Sequence, residues 1–251
     1  MRVPDELAPA VALAAEESRG GGWLVEELVE GPEVTVNAVS FAGEFVPLTV
    51  TDRITAEPPA FGVALAHAWP SAHDTSAAVG TAQAAAAALG VTNGPTYTQV
   101  RLGPDGPRVM ELAARLGGGH DAELCEAALG VDLNGLAIDF ALGPVPERKL
   151  ASAGKSGDRP PRDLSPGACV VFLVPPIGVL RSVEGVEMAE ALPGIRWVRV
   201  YRSPGRRFGP LRRGSDRAGA VLAVGDDRDD ALAKARRAAS AIRFVVDAHP
   251  A

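Results

Sequence analysis

The stretch Thr96 to His120, TYTQVRLGPDGPRVMELAARLGGGH, reads as two strands joined by a tight turn. The first runs Thr96–Leu102 and the second Arg108–Leu112, with Gly103-Pro104-Asp105-Gly106 supplying residues that tolerate turn geometry. The second strand leads into the glycine run 117–119, where backbone can approach a ligand closely. Gln99 and Glu111 fall where they can face each other across the pair, within reach of one ion. Arg115 follows one turn of sequence later. A carboxylate, a neutral oxygen ligand and a guanidinium beside exposed backbone suit Mg²⁺ and phosphate. The same groups also occur on ordinary surface hairpins, so spacing alone does not separate the two.

Composition bounds the rest. A chain of 251 residues can bury a substantial core in one large or two small domains. Its 47% hydrophobic and 22% charged content is ordinary for a globular protein. A net charge of −6 gives no global reason to expect nucleic acid. Cys125 and Cys169 are far apart in apolar surroundings and fit no zinc spacing, so buried reduced thiols are expected. No apolar run approaches the length of a membrane span, and the first residues lack the basic start of a secretory signal, so a cytoplasmic location is expected. Only three of the 25 lysine and arginine residues are lysine, and none precedes Lys149.

Working outward from the hairpin, Pro4–Ser18 is rich in Ala and Glu and reads as a helix stopped by glycines. Trp23–Glu30 reads as a strand running into an extended segment. Glu33–Phe41 alternates with the period of a half-buried strand, and Glu44–Thr51 is its hairpin partner. Residues 52–72 read as a long irregular loop, and His73–Leu89 as an Ala-rich helix. Two helices follow at Asp121–Leu129 and Leu133–Leu142. Residues 144–167 have the Pro, Gly, Ser and charge of a linker. The Gly-Lys-Ser within it has no glycine at the position a phosphate loop needs. Beyond lie strands at Ala168–Val174, Gly178–Val183, Ile195–Tyr201 and Ala218–Val224. A short helix is expected at Glu187–Ala191 and an amphipathic helix over Asp229–Val246.

Other candidates read more plainly. Eight arginines between Arg196 and Arg217 suggest a solvated loop first, a phosphate or substrate clamp second and a nucleic-acid surface last. His67, His73 and His120 share no metal-ligand spacing and read as surface or loop residues. His120 and Asp121 draw interest only because they follow the glycines.

The hairpin resembles the metal-binding hairpin of the ATP-grasp superfamily. There one strand offers Glu or Gln and the next offers Glu-x-Asn-x-Arg before glycines. Gln99, Glu111 and Arg115 match, while Ala113 stands where the family has a metal-ligating Asn. The segment 25–33, VEELVEGPE, resembles the family's adenine hinge and ribose contact. Glu26 opens the hinge, Glu27, Leu28 and Val29 continue it, and Glu33 matches the ribose carboxylate. Leu192-Pro193-Gly194, Pro204-Gly205, Asp216-Arg217-x-Gly219 and Ala223-x-Gly225 resemble the C-terminal domain of the carboxylate–amine ligase branch, which includes L-amino-acid ligases.

The resemblance implies an α+β fold. An antiparallel sheet with flanking helices, the C-terminal lobe of an ATP-grasp domain, would be followed by a small α+β domain. Residues 1–143 would be the partial ATP-grasp domain, 144–167 the linker and 168–251 the C-terminal domain. It further implies ATP and Mg²⁺ as ligands, with Gln99 and Glu111 on the metal and Arg115 on phosphate or substrate. Small-molecule carboxylate and amine substrates would be joined through an acyl phosphate. The family's upstream half-lobe, with its phosphate-binding lysines, has no counterpart here, so a missing N-terminal lobe or a homo-oligomer would complete the site; no nucleic acid or membrane is expected. A degenerate relative that binds a nucleotide, metabolite or protein without catalysis is the alternative, and an unrelated α/β protein the third. Glu33, Gln99 and Glu111 are expected on one concave sheet face.

Overall fold

The computed structural model describes residues 7–18, 20, 22–57, 60, 62–143 and 165–247. Of the linker expected at 144–167, only the last three residues fall among them. Helix α1 (Leu7–Glu17) precedes an exposed segment without regular structure. Strands β1 (Glu33–Phe41), β2 (Glu44–Thr55) and β3 (Ala64–Trp69) follow, then helix α2 (Ser76–Ala88). The hairpin read from sequence is β4 (Gly94–Gly103) and β5 (Gly106–Ala113). Helices α3 (Asp121–Leu129) and α4 (Leu133–Leu142) come next. The remainder is β6 (Gly167–Leu173), β7 (Gly178–Glu184), α5 (Val186–Glu190), β8 (Ile195–Val200), β9 (Arg207–Phe208), β10 (Gly219–Gly225), α6 (Arg228–Ala241) and β11 (Arg243–Asp247).

Eight strands form one sheet in the order β5-β4-β1-β2-β3-β6-β10-β8, and every pairing in it is antiparallel. A smaller antiparallel sheet has the order β11-β7-β9. The mixed α+β architecture expected from sequence is the one found. Three expectations need correction. Trp23–Glu30 is not a strand: its apolar residues face solvent, with Leu24 85% exposed. Residues 52–72 are not one loop, because β2 continues to Thr55 and β3 pairs with both β2 and β6. The final helix stops at Ala241, and Phe244 enters the core as part of β11. Short strands of small residues, such as ALAHAW in β3, carry little period-2 contrast when both faces are buried, so tertiary pairing decides them.

Side-chain alternation in β1 divides the molecule. Val34 and Val36 point to the face covered by α2, where Ala78 and Ala82 bring the helix close to the sheet. Farther along that face α6 packs Ala231, Leu232 and Ala235 onto Ala68 and Cys169. Glu33, Thr35 and Asn37 point to the other face, and all three are buried. On this second face Val39 lies beneath α3 and α4, with Cys125, Leu133 and Leu136. Leu124 of α3 packs on Val170 and Phe172. The face is therefore apolar where helices cover it and polar toward the start of β1. Burial pushes both cysteine thiols up to about 12, and both are free, so they are packing groups.

The exposed segment is tied to the sheet just before β1. Gly31 has φ +135°, and a Cβ there would lie 2.1 Å from the Leu102 carbonyl oxygen. The Leu102 N–H donates to the Pro32 carbonyl at 2.8 Å. Gly31→Ala is expected to cost about 1–3 kcal/mol, lowering Tm by about 2–4 °C per kcal/mol in a chain of this size. A melting curve followed by circular dichroism checks this; an unchanged Tm would mean that residues 31–32 are not held against Leu102.

Candidate functional site

Register brings the hairpin residues together. Gln99 and Glu111 are Cα partners across β4 and β5, and Thr35 is the partner of Gln99 on β1. Glu33 is two residues from Thr35 and faces Arg101, so Glu33, Gln99 and Glu111 share one sheet face. The Gln99 amide N–H donates to the Tyr97 hydroxyl at 2.8 Å, leaving its carbonyl oxygen as the free end. Glu111 is half-exposed, with Arg115 Nη2 3.8 Å from its carboxylate. Arg115 Nη1 donates to the Leu116 carbonyl at 2.7 Å. Ala113 lies opposite Tyr97 and adds no ligand.

Glu33 is more enclosed than sequence suggested. Arg53 Nη1 donates to one carboxylate oxygen at 2.6 Å and Arg101 Nη2 to the other at 2.7 Å. All three side chains are largely buried. Arg53 and Arg101 were not singled out from sequence, because their relation to Glu33 exists only through the β1–β2 and β1–β4 pairings. Around them opens a cleft of about 260 Å³, bounded by Gly31, Pro32, Ile54, His73, Asp52 and Arg228. Asp52 lies on the opposite sheet face from Arg53 and pairs with Arg228 Nη2 at 2.6 Å. Glu26, Glu27 and Leu28 are exposed, and none of them is among the residues that bound this cleft. Val29 is half-buried against the end of β4, where a Cβ on Gly103 would meet its side chain at 2.8 Å.

The glycine run turns inward. A Cβ on Gly117 would lie 2.2 Å from Asp121 Oδ2, and one on Gly119 would lie 2.8 Å from His67 Nε2. These glycines are required by the chain's own packing. Asp121 is buried at the start of α3, accepting from the Gly119 N–H at 3.1 Å and from Asn37 Nδ2 at 3.3 Å. His67 corrects the surface expectation: it is 2% exposed, between Asp121 and the edge of the Phe172 ring. Burial holds its pKa below the usual value, against the opposing charge of Asp121. His73 is exposed, as expected.

His120, in the left-handed region at φ +60°, is a junction between the two halves of the chain. Its ring packs against Trp197 and Phe172 and hydrogen-bonds the Tyr201 hydroxyl. Its Nδ1 lies 3.1 Å from Glu123, which also accepts from Arg199 at 2.5 Å. The hydrogen bond from His120 is the largest influence on the Glu123 carboxyl; with Arg199 it outweighs burial and lowers the pKa to about 2. Of the arginines between 196 and 217, Arg202 and Arg217 are half-buried and the rest exposed. Among the described residues no group of three or more His, Cys, Asp or Glu can hold a metal ion, and no helix is long and apolar enough to cross a membrane.

This sheet with its flanking helices is the ATP-grasp fold. Residues 171–247 match the family model of the L-amino acid ligase C-terminal domain 2. The structure of an L-amino acid ligase from Bacillus licheniformis superposes with a TM-score of 0.83 at 22% identity, covering 99% of this chain and 61% of that one. An uncharacterized protein, y4rH, of Sinorhizobium fredii is 30% identical over 228 residues, 89% of this chain and 44% of the relative. Carnosine synthase 1 of Gallus gallus is 31% identical over 143 residues, 53% of this chain and 15% of the relative. The chain thus spans less than two thirds of the length of each.

Two predictions follow from the ion pairs. Glu33→Gln leaves two arginines without their shared carboxylate and is expected to cost about 3–5 kcal/mol, read as a lower urea midpoint; a midpoint equal to wild type would show the pair to be inert. Glu123 has a folded-state pKa below its ordinary 4.5, so its contribution is present above that value and is lost as pH falls toward about 2. Glu123→Gln is expected to flatten the fall in urea midpoint over that window, and an unaltered pH profile would contradict the pairing.

Proposed function

We propose that this chain is the nucleotide- and cation-binding part of an ATP-dependent carboxylate–amine ligase, joining small-molecule substrates through an acyl phosphate. The observation that carries this reading is the Gln99–Glu111 pairing on the same sheet face as Glu33 and its cleft, in an ATP-grasp fold. An amide oxygen and a carboxylate fit Mg²⁺ that arrives on a nucleotide. Such an ion keeps several waters and takes one or two carboxylates plus phosphate oxygens. They do not suit a free-standing metal site. When bound, the ion neutralises phosphate charge.

The remaining roles belong to side chains. Glu111 and the Gln99 carbonyl would hold the cation. Arg115, within reach of Glu111 and exposed, contacts the transferring group or the substrate. Leu28 and Val29 offer apolar cover and backbone groups to the adenine, and Glu26 and Glu27 flank them. Glu33 receives the ribose hydroxyls, which must share its oxygens with Arg53 and Arg101. The upstream lobe that would close over the nucleotide comes from outside residues 1–251, or from a second copy. Exposed Trp23, Leu24, Val25 and Leu28 fit a surface that such a lobe covers.

A second reading, binding without catalysis, is favoured by Ala113 and by the two arginines already on Glu33. Calorimetric titration with ATP, with and without Mg²⁺, separates the two. The ligase reading expects Mg²⁺-dependent heat, tightened about ten- to a hundredfold by Ala113→Asn and lost in Glu111→Gln. Binding that ignores Mg²⁺ and both substitutions would favour the non-catalytic reading.

A further inference from the structure

Arg217 differs from the arginines that line the cleft. Arg53, Arg101 and Arg228 each have a carboxylate within 2.7 Å. Among the described residues no carboxylate pairs with Arg217: its Nε donates to the Gly214 carbonyl at 2.8 Å and its Nη1 to the Ala64 carbonyl at 3.2 Å. The guanidinium lies over the Phe172 ring, with Cζ 3.7 Å from the centroid. It is fixed by two backbone oxygens and one aromatic face.

Its surroundings point the same way. Phe172 also contacts His67 and His120, which places Arg217 beside the glycine run and the N-terminus of α3. Tyr201, Arg53, Tyr97 and Asp121 are the groups whose charges bear on it, and burial lowers its pKa. Asp121 is one of the charges that bear on it, but among the described residues no ion pair joins the two, and the Asp121 oxygens accept from Asn37 and Gly119. On the same sheet face Arg53 Nε, Thr51 Oγ1 and His67 Nδ1 are buried without hydrogen-bond partners, and His67 is 2% exposed. Buried polar groups without partners cost stability unless a ligand meets them.

We propose that Arg217, with Arg53 beside it, binds a carboxylate of the substrate, so that the C-terminal part of the chain forms one wall of the substrate site. The planar fork of arginine suits a carboxylate, and its two carbonyl bonds leave further N–H groups to donate. That the carboxylate belongs to a substrate rests on the ligase reading; that the site takes a carboxylate does not.

The test is a thermal-shift titration of the whole chain with sodium acetate at constant ionic strength, chloride making up the balance. Inorganic phosphate is titrated in parallel, on wild type, Arg217→Met and Arg217→Lys. Each variant is compared with its own acetate-free Tm, which removes any effect of losing the two carbonyl bonds. Acetate is expected to raise the wild-type Tm saturably. The apparent affinity should weaken about ten- to a hundredfold in Arg217→Met and by less in Arg217→Lys, which carries the test alone should the methionine variant not fold. An acetate response equal in wild type and variants, or none in wild type, overturns the proposal. A response to phosphate alone overturns the choice of carboxylate. The MgATP titration is independent: an acetate site without nucleotide binding sinks the ligase reading, and nucleotide binding without an acetate site sinks only the role of Arg217.

Discussion

The antiparallel pairing of β1 with β2 on one side and β4 on the other organises the chain. It fixes which residues of a nine-residue strand face helix α2 and which face the cleft. A one-residue slip would exchange Val34 and Val36 for Glu33 and Thr35 beneath the helix. Buried carboxylate and hydroxyl would then meet Ala78 and Ala82. The cost of that exchange keeps Glu33, Arg53, Arg101, Gln99 and Glu111 on a common face.

The same pairing explains why the polar face tolerates so much buried charge. Glu33 is neutralised through neighbouring strands, and Asp52, its counterpart on the opposite face, through the first turn of α6. The second of these ties the C-terminal helix to the edge of the cleft. His120 and Arg217 make two further connections across the chain, through Trp197 and Tyr201 in one case and the Ala64 carbonyl in the other. Residues on both sides of the undescribed segment 144–164 therefore shape one region, because β6 pairs with β3 in the same sheet.

Glycines illustrate how packing of the chain on itself can demand the same residue that close approach of a ligand demands. The run 117–119 sits at the end of the hairpin, as its position suggested. Gly117 and Gly119 are there because Asp121, Tyr97 and His67 leave no room for a Cβ. Gly118 alone meets open space. Close approach is the common requirement, and the sequence cannot say whether the approaching group is a ligand or the chain itself.

Local chemistry determined much of this protein. Alternation in residues 33–41, the Gly103–Gly106 turn and the Ala-rich helix after His73 are periodic signals of adjacent residues, and the fold keeps them. The facing of Gln99 and Glu111 followed from the turn between them. Tertiary structure alone decided that Trp23–Glu30 stays exposed, that β3 joins the two halves of the sheet, and that the last helix yields to a strand at Arg243. It alone closed Arg53 and Arg101 on Glu33, buried His67 and, among the described residues, left Arg217 without a carboxylate. Each depends on residues far apart in sequence meeting in a low-dielectric interior, where pairing and burial are set by neighbours rather than by spacing.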